Sequence, residues 1–315
     1  MKGNKHMKTK TNTLLGAVLF LLVIGAAALA LPPVALAQAA NTVVAWGNNG
    51  GGQCDVPSPN SGFVAVAGGV VHSLGLKSNG KLVAWGTNSD GQLNLPKPNS
   101  GFVAVAAGYT FSLALKADGS IKAWGQNLFG QTNVPAPNSG FVAIAAGING
   151  HSLGLKSNGT VVAWGNNDRG QCNIPAPNSG FVAIAAGANF SLGLKTDGSI
   201  IAWGSNLYGQ LNVPEPNAGF VAVAAGANFS IGLKADGSLV TWGGNDYGQL
   251  NVPDPNAGFV AVTAGAFHGL GLKADGSVVA WGRNDTGACN VPSPNMDFIV
   301  VASGVYHSLG IRAGD

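Results

Sequence analysis

Tryptophan occurs at positions 46, 85, 124, 164, 203, 242 and 281 and nowhere else, at intervals of 39 or 40 residues. Each Trp is preceded by Ala or Thr and followed by Gly, as in Val44-Ala45-Trp46-Gly47. A fixed period of this length marks stacked supersecondary units, none of which buries its apolar face alone. Seven equal units favour a closed ring over an open array.

One unit shows what is repeated. Residues 181–219 contain three strand-like stretches, FVAIAAG, FSLGLK and SIIAWG, followed by SNLYGQLNVPEPNAG, which is dense in Gly, Pro and Asn. The second and third stretches are joined by Thr196-Asp197-Gly198, and Asn-Gly or Asp-Gly recurs at that point in six units. Such dipeptides between apolar runs are strong hairpin signals, and the Pro-rich remainder is a crossover. No helical period appears after the first 37 residues. The unit is therefore a three-stranded antiparallel meander, and seven of them predict an all-β, closed seven-bladed propeller. Alanine and glycine dominate each first stretch, which places it next to the axis, with Trp filling the wedge between blades. The chain opens on TVVAWG, a third strand without its first two, and ends on FIVVASG and HSLGIRAGD, a first and second without the third. Joining them completes the seventh blade, removes the exposed edges of a linear array and makes Asn41 and Asp315 neighbours.

Residues 1–37 stand outside the repeat. Lys2, Lys5, Lys8 and Lys10 precede an uncharged apolar run from Leu14 to Leu31, then Pro32-Pro33 and Ala35-Leu36-Ala37. That order predicts a signal peptide cleaved after Ala37, an uncleaved anchor being the alternative. Residues 38–315 are then one exported domain, secreted or held in the periplasm or cell envelope. Four of the 16 Lys and Arg lie in the leader with none of the 13 Asp and Glu, leaving 12 against 13 and a net charge of −1. A sparsely charged, near-neutral domain lacks the concentrated basic footprint of a nucleic-acid binder. Once the leader is removed, nothing points to a membrane. Cys54, Cys172 and Cys289 share one repeat position in different units. That spacing separates the sulfurs beyond disulfide reach, and the three are expected as small, buried, reduced side chains.

The pattern AWGxNxxGQ followed by VAxAAGxxHSLxLK resembles the repeats of the regulator-of-chromosome-condensation family. The short units, as in VVAWGNNDRGQCNIP and IAAGANFSLGLK, are more closely similar to the secreted bacterial β-lactamase inhibitory proteins of the propeller type. The resemblance covers 41–315 and implies the propeller fold, with aromatic residues in the loop between first and second strands as anchors for a bound enzyme. At those positions this chain has Val71, Thr110, Asn149 with an inserted Gly150, Asn189, Asn228, Phe267 and Tyr306, so only two are aromatic.

Strand order puts this loop and the segment after each Trp on one face, with the Asp-Gly hairpins on the other. The first face varies among units: NNGGG, NSD, QNLF, NND, SNLY, GND and RND follow the tryptophans. Candidate partner-binding residues there are Tyr109, Phe129, Arg169, Tyr208, Asp246, Tyr247, Phe267, Arg283, Asp285 and Tyr306. The aromatic ones are unevenly spread, which predicts an off-centre partner over the units between Trp203 and the C-terminus. His72, His151, His268 and His307 alternate with Phe111, Phe190 and Phe229 at one position, as a packing site would. The following Ser recurs in six units and fits loop hydrogen bonding better than nucleophilic catalysis. A ring of Lys77, Lys116, Lys156, Lys195, Lys234, Lys273 and Arg312 lies near the hairpins, each close to an Asp or Asn and expected as a partly neutralised rim, an axial anion site being the sharper alternative. Asp90, Asp168, Asp246 and Asp285 sit singly in separate units, too dispersed for calcium. The expectation is a monomeric, cofactor-free binding module for a protein partner, not an enzyme, possessing neither catalytic residues nor a metal site. A glycan- or peptide-directed enzyme is the competing class. Guanine-nucleotide exchange on a small GTPase is disfavoured by the export signal.

Overall fold

A computed structural model describes residues 23–24, 27–29 and 40–314. Those from 40 to 314 form seven antiparallel blades of three strands each, with no helix among the described residues. Blade 1 comprises Phe63–Gly68, His72–Lys77 and Leu82–Gly86, and blade 2 Phe102–Ala107, Phe111–Lys116 and Ile121–Gly125. Blade 3 comprises Phe141–Ala146, His151–Lys156 and Val161–Gly165, and blade 4 Phe181–Ala186, Phe190–Lys195 and Ile200–Gly204. Blades 5 and 6 follow as Phe220–Ala225, Phe229–Lys234, Leu239–Gly243 and Phe259–Ala264, His268–Lys273, Val278–Gly282. Blade 7 joins Phe298–Ser303 and His307–Arg312 to Thr42–Gly47 from the other end of the chain. The ring is closed through this last pairing, in which Ser308 faces Trp46 and Ile311 faces Val43. Gly314 donates to the Asn41 side chain at 3.3 Å, while the expected partner of Asn41, Asp315, lies outside the described residues.

First strands pack against one another around the whole ring, so they are innermost, as their small side chains require. Most of the predicted leader lies outside the described residues. Within it, Val23–Ile24 and Ala27–Leu29 pair with each other, and Ala27–Leu29 pairs with the inner strand of blade 3.

The hairpins use a specific backbone. Gly80 donates to the Lys77 carbonyl at 2.9 Å and takes φ +74°, and the five equivalent glycines do the same. The positive φ is why glycine is fixed there, as in a type I turn closed by a glycine bulge.

The blades are latched by a recurring set of bonds. Ser73 and Trp85 are cross-strand partners in blade 1, and both donate to the main-chain carbonyl of Gln53 in the preceding crossover, each at 2.9 Å. Gln92, Gln131, Gln171 and Gln210 receive the equivalent pairs, and Ala288 receives Trp46 and Ser308. Trp85 itself packs against Val43, Val300 and Leu309 of blade 7, filling the expected wedge. A second device protects the outer strands. The side-chain amide of Asn99 accepts from the Leu82 amide and donates to its carbonyl, at 2.8 and 2.9 Å, imitating a neighbouring strand at the start of an open edge. Asn60, Asn138, Asn178, Asn217, Asn256 and Asn295 repeat it.

One expectation needs correction and a second gains detail. The three cysteines are free thiols, as predicted, but half-buried. They sit in crossover turns, where Cys54 Sγ approaches the Asn48 carbonyl at 3.3 Å, so burial in the core was the wrong environment. No ring lysine makes a close ion pair among the described residues. Behind the neighbouring Ser hydrogen bonds, Lys116, Lys195, Lys234 and Lys273 help to hold Asp118, Asp197, Asp236 and Asp275 below their ordinary range, as a partly neutralised rim would. Lys77 Nζ lies 3.7 Å from the centroid of Phe63 and donates to the carbonyls of Pro59 and Ser61. Lys156, Lys195, Lys234 and Lys273 repeat that pattern, and the single ion pair among the described residues is elsewhere. Aromatic faces and carbonyl oxygens satisfy the ammonium groups of these five lysines, which leaves little for an axial anion; Lys116 Nζ is further out, 5.5 Å from the Phe102 centroid.

Candidate functional site

Both families of variable loops reach the same face. In blade 7 the Asn48 amide, just after Trp46 and Gly47, donates to the Tyr306 carbonyl at 3.0 Å. In blade 6, Arg283 donates to Phe267, and in blade 4, Ser205 to Asn189. Six of the seven crossover turns are set by a buried Gln, the exception being the blade 6 crossover, where Ala288 takes its place. Gln249 Oε1 accepts from the Tyr247 amide, Gln210 Oε1 from Tyr208, Gln171 Oε1 from Arg169 and Gln131 Oε1 from Phe129, all at 2.8 or 2.9 Å. Phe129, Arg169, Tyr208 and Tyr247 thus project from turns anchored to the interior rather than from slack loops.

One group of candidates is brought together over blades 5 to 7. The rings of Tyr247 and Phe267 have centroids 5.0 Å apart. The Arg283 guanidinium lies 4.8 Å from the Tyr247 centroid and 5.8 Å from those of Phe267 and Tyr306. Asp285 closes the group, accepting from Arg283 Nε at 2.9 Å and from a terminal guanidinium nitrogen at 2.5 Å. That bond holds the Asp285 carboxyl below its ordinary range and raises Arg283 further. Tyr247 is 45% exposed, so the cluster presents a rigid, partly wet surface of aromatic faces and one fixed cation. Asp246 stands beside it, exposed.

The remaining candidates go elsewhere. Tyr208 is 54% exposed over the blade 4 crossover and has no aromatic partner among the described residues. Tyr109, Phe129 and Arg169 line an open depression of about 660 Å³ over blades 2 to 4, with Ile148, Asn149 and Asn189. The expected aromatic sector is therefore two sectors. Leu128 and Leu207, 80% and 75% exposed on this face, were not singled out by sequence, although their places in QNLF and SNLY were a usable signal.

The four histidines among the described residues are interior. His72 Nε2 meets Ser112 Oγ at 3.1 Å, His151 meets Ser191 and His268 meets Ser308 at the same distance, and His307 meets Ser73 at 2.9 Å. Each pair spans two blades. Because each Ser hydroxyl also points at a crossover carbonyl, it accepts from the imidazole N–H. Burial brings His72, His151 and His268 down to about 4 and His307 to about 3. A side chain at Gly69 would collide with His72, and one at Gly108 with Phe111, which explains why His and Phe interchange here over an obligatory glycine.

The repeats themselves decide the family. The model of the regulator of chromosome condensation (RCC1) repeat matches residues 63–92, 102–131, 141–171, 181–210, 220–249 and 259–288, more than half of the chain. The chain belongs to the RCC1 repeat family. The RCC1 propeller resembles yeast RCC1 (Prp20), solved bound to Kap60, with a TM-score of 0.74 and 20% identity over 88% of this chain and 90% of that one. Human WBSCR16 gives a TM-score of 0.70 at 18% identity, over 87% and 99% of the two chains. The ectodomain of the Arabidopsis thaliana receptor kinase ACR4 gives 0.65 at 24%, over 80% and 92%. At these identities the likeness is one of fold. No curated protein matches the chain.

Proposed function

We propose that this RCC1-repeat propeller is an exported binding module that docks a protein partner on its variable face, off-centre over blades 5 to 7. The observation that carries the reading is the cluster of Tyr247, Phe267, Arg283 and Tyr306, held together at 4.8 to 5.8 Å. Tyr and Arg are the residue types that concentrate binding energy, and side chains already fixed lose little entropy on docking. Support also comes from the fold neighbours: yeast RCC1 was solved with Kap60, and its properties toward Gsp1p and histones have been described. Those partners belong to the yeast protein. Lys2 to Ala37 have the order of an export signal, which supports a place in the secreted fraction or cell envelope and argues against exchange on a small GTPase. A β-lactamase-inhibitor-like activity is the finer reading, supported by the match of repeat length and motif.

The test is capture by chemical cross-linking from the extracellular or periplasmic fraction, with variants run beside the wild type. Tyr247→Ala or Tyr306→Ala is expected to weaken the captured complex by about 2 kcal/mol, roughly thirtyfold, and Lys116→Ala on the hairpin face to leave it unchanged. The reverse pattern would move the site to the basic ring.

A further inference from the structure

The 660 Å³ depression over blades 2 to 4 coincides with the one irregularity in the repeat. Trp124 and Trp164 are 40 residues apart where every other interval is 39, and the extra residue is Gly150. Gly150 has φ +85°, and a Cβ there would lie 3.0 Å from the Phe129 ring. Its carbonyl takes over the bond made elsewhere by the loop's middle residue, accepting from the Asn166 amide at 2.8 Å. Asn149, at the usual middle position, is thereby released from the ladder and reaches across to Asn189 at 3.1 Å. The insertion builds the site.

The chemistry of the lining is selective. Tyr109 and Phe129 line it and are 47% and 49% exposed, so aromatic surface is available to a ligand. Asn149 and Asn189 supply primary amides, each of which both donates and accepts. Asp168 and Arg169 are adjacent, opposite in charge and not paired with each other, so the site carries no net charge. The Arg169 guanidinium has no hydrogen-bond partner among the described residues. Aromatic faces beside groups that both donate and accept suit a ligand with hydroxyls around an apolar C–H surface. A charged ligand would find no excess of countercharge. The volume falls in the range of small-ligand sites.

We propose that this depression is a binding site for a neutral oligosaccharide, stacked on Tyr109 and Phe129 and hydrogen-bonded by Asn149, Asn189 and Arg169. It shares a face with the protein-docking cluster but none of its residues.

The purified protein is to be titrated with maltotriose, cellotriose and the trimer of N-acetylglucosamine, followed by saturation-transfer NMR and calorimetry, with tetraglycine as the peptide comparison. At least one trisaccharide is expected to bind saturably. Tyr109→Ala is expected to weaken it about tenfold, the equivalent of one stacking contact. Asn189→Ala, which leaves both rings in place, is expected to weaken it several-fold, and Lys116→Ala on the opposite face to leave it unchanged. Failure of all three trisaccharides to bind, tetraglycine binding as tightly as the best sugar, or an unchanged affinity in both depression variants would each overturn the proposal. No protein partner enters the assay, so this site and the docking reading stand or fall separately.

Discussion

Acid should unfold this propeller through its interior histidines, well before its carboxylates titrate. His72, His151 and His268 are held at about 4 and His307 at about 3, against an ordinary value of 6.5, because burial disfavours the imidazolium. The folded values lie below the unfolded one. The unfolded chain therefore binds protons first, and the native state is at full advantage above pH 6.5 and loses it as pH falls toward 4. At pH 5 each histidine costs about 2 kcal/mol relative to pH 7, and the four together about 7 kcal/mol, comparable with the whole stability of an ordinary domain. The exposed Asp118, Asp197, Asp236 and Asp275 are held below 3.8 by their Ser hydrogen bonds and add nothing in this window. His268, His307 and His72 bridge three successive junctions around blade 7, so opening should start where the termini meet. The assay is urea unfolding at pH 7, 6 and 5, with amide exchange of His307–Arg312 and Thr42–Gly47. The matched perturbation replaces His72, His151, His268 and His307 by Phe, which already occupies the position at 111, 190 and 229. That variant should keep near wild-type stability at pH 7 and lose most of the decline between pH 7 and 5. An equally steep decline would show that other groups set the acid limit and refute the assignment.

Further expectations follow from the closure, the latches and the thiols. Removing 308–315 takes out most of the middle strand of blade 7 and one partner of Thr42–Gly47. It should lower the melting temperature of the whole protein in a single transition, and an unchanged midpoint would argue for an open array. Asn99→Ala leaves the Leu82 amide and carbonyl without their side-chain partner, and denaturant unfolding should report a loss of about 1 to 3 kcal/mol. Cys54, Cys172 and Cys289, half-buried and raised to about 11 by burial, should react slowly with iodoacetamide at pH 8 and fast in denaturant. A Cys54–Cys289 bridge found by mass spectrometry would contradict the blade spacing.

The repeat made the architecture legible because periodicity is a property of the chain alone. Seven tryptophans, six Asp-Gly or Asn-Gly turns and two incomplete end units were enough for blade count, strand order and ring closure. The choice of face followed too, since strand direction settles which loops emerge together. The side-chain partners were not legible, because they come from different units. Lys77 has Asn79 nearby in sequence, yet it is satisfied by Phe63 and by carbonyls 16 and 18 residues away. Asn60 and its equivalents lie in the Gly-, Pro- and Asn-rich crossovers, and only the packed structure shows them acting as substitute strands. The cysteines are expected from sequence as small buried side chains, whereas the crossover leaves their shared position half-covered. Among the candidate site residues, sequence gave the aromatic and charged types and their common face, and only the packed ring separated them into two sectors. Arg283 reaches Tyr247 and Tyr306 because the crossovers of blades 5 and 6 and the first-to-second-strand loop of blade 7 lie side by side. Gly150 opens a depression because one extra residue hands a ladder bond from a side-chain-bearing position to glycine. Which residues repeat is a property of the chain, and the curvature of the closed ring decides which of them meet.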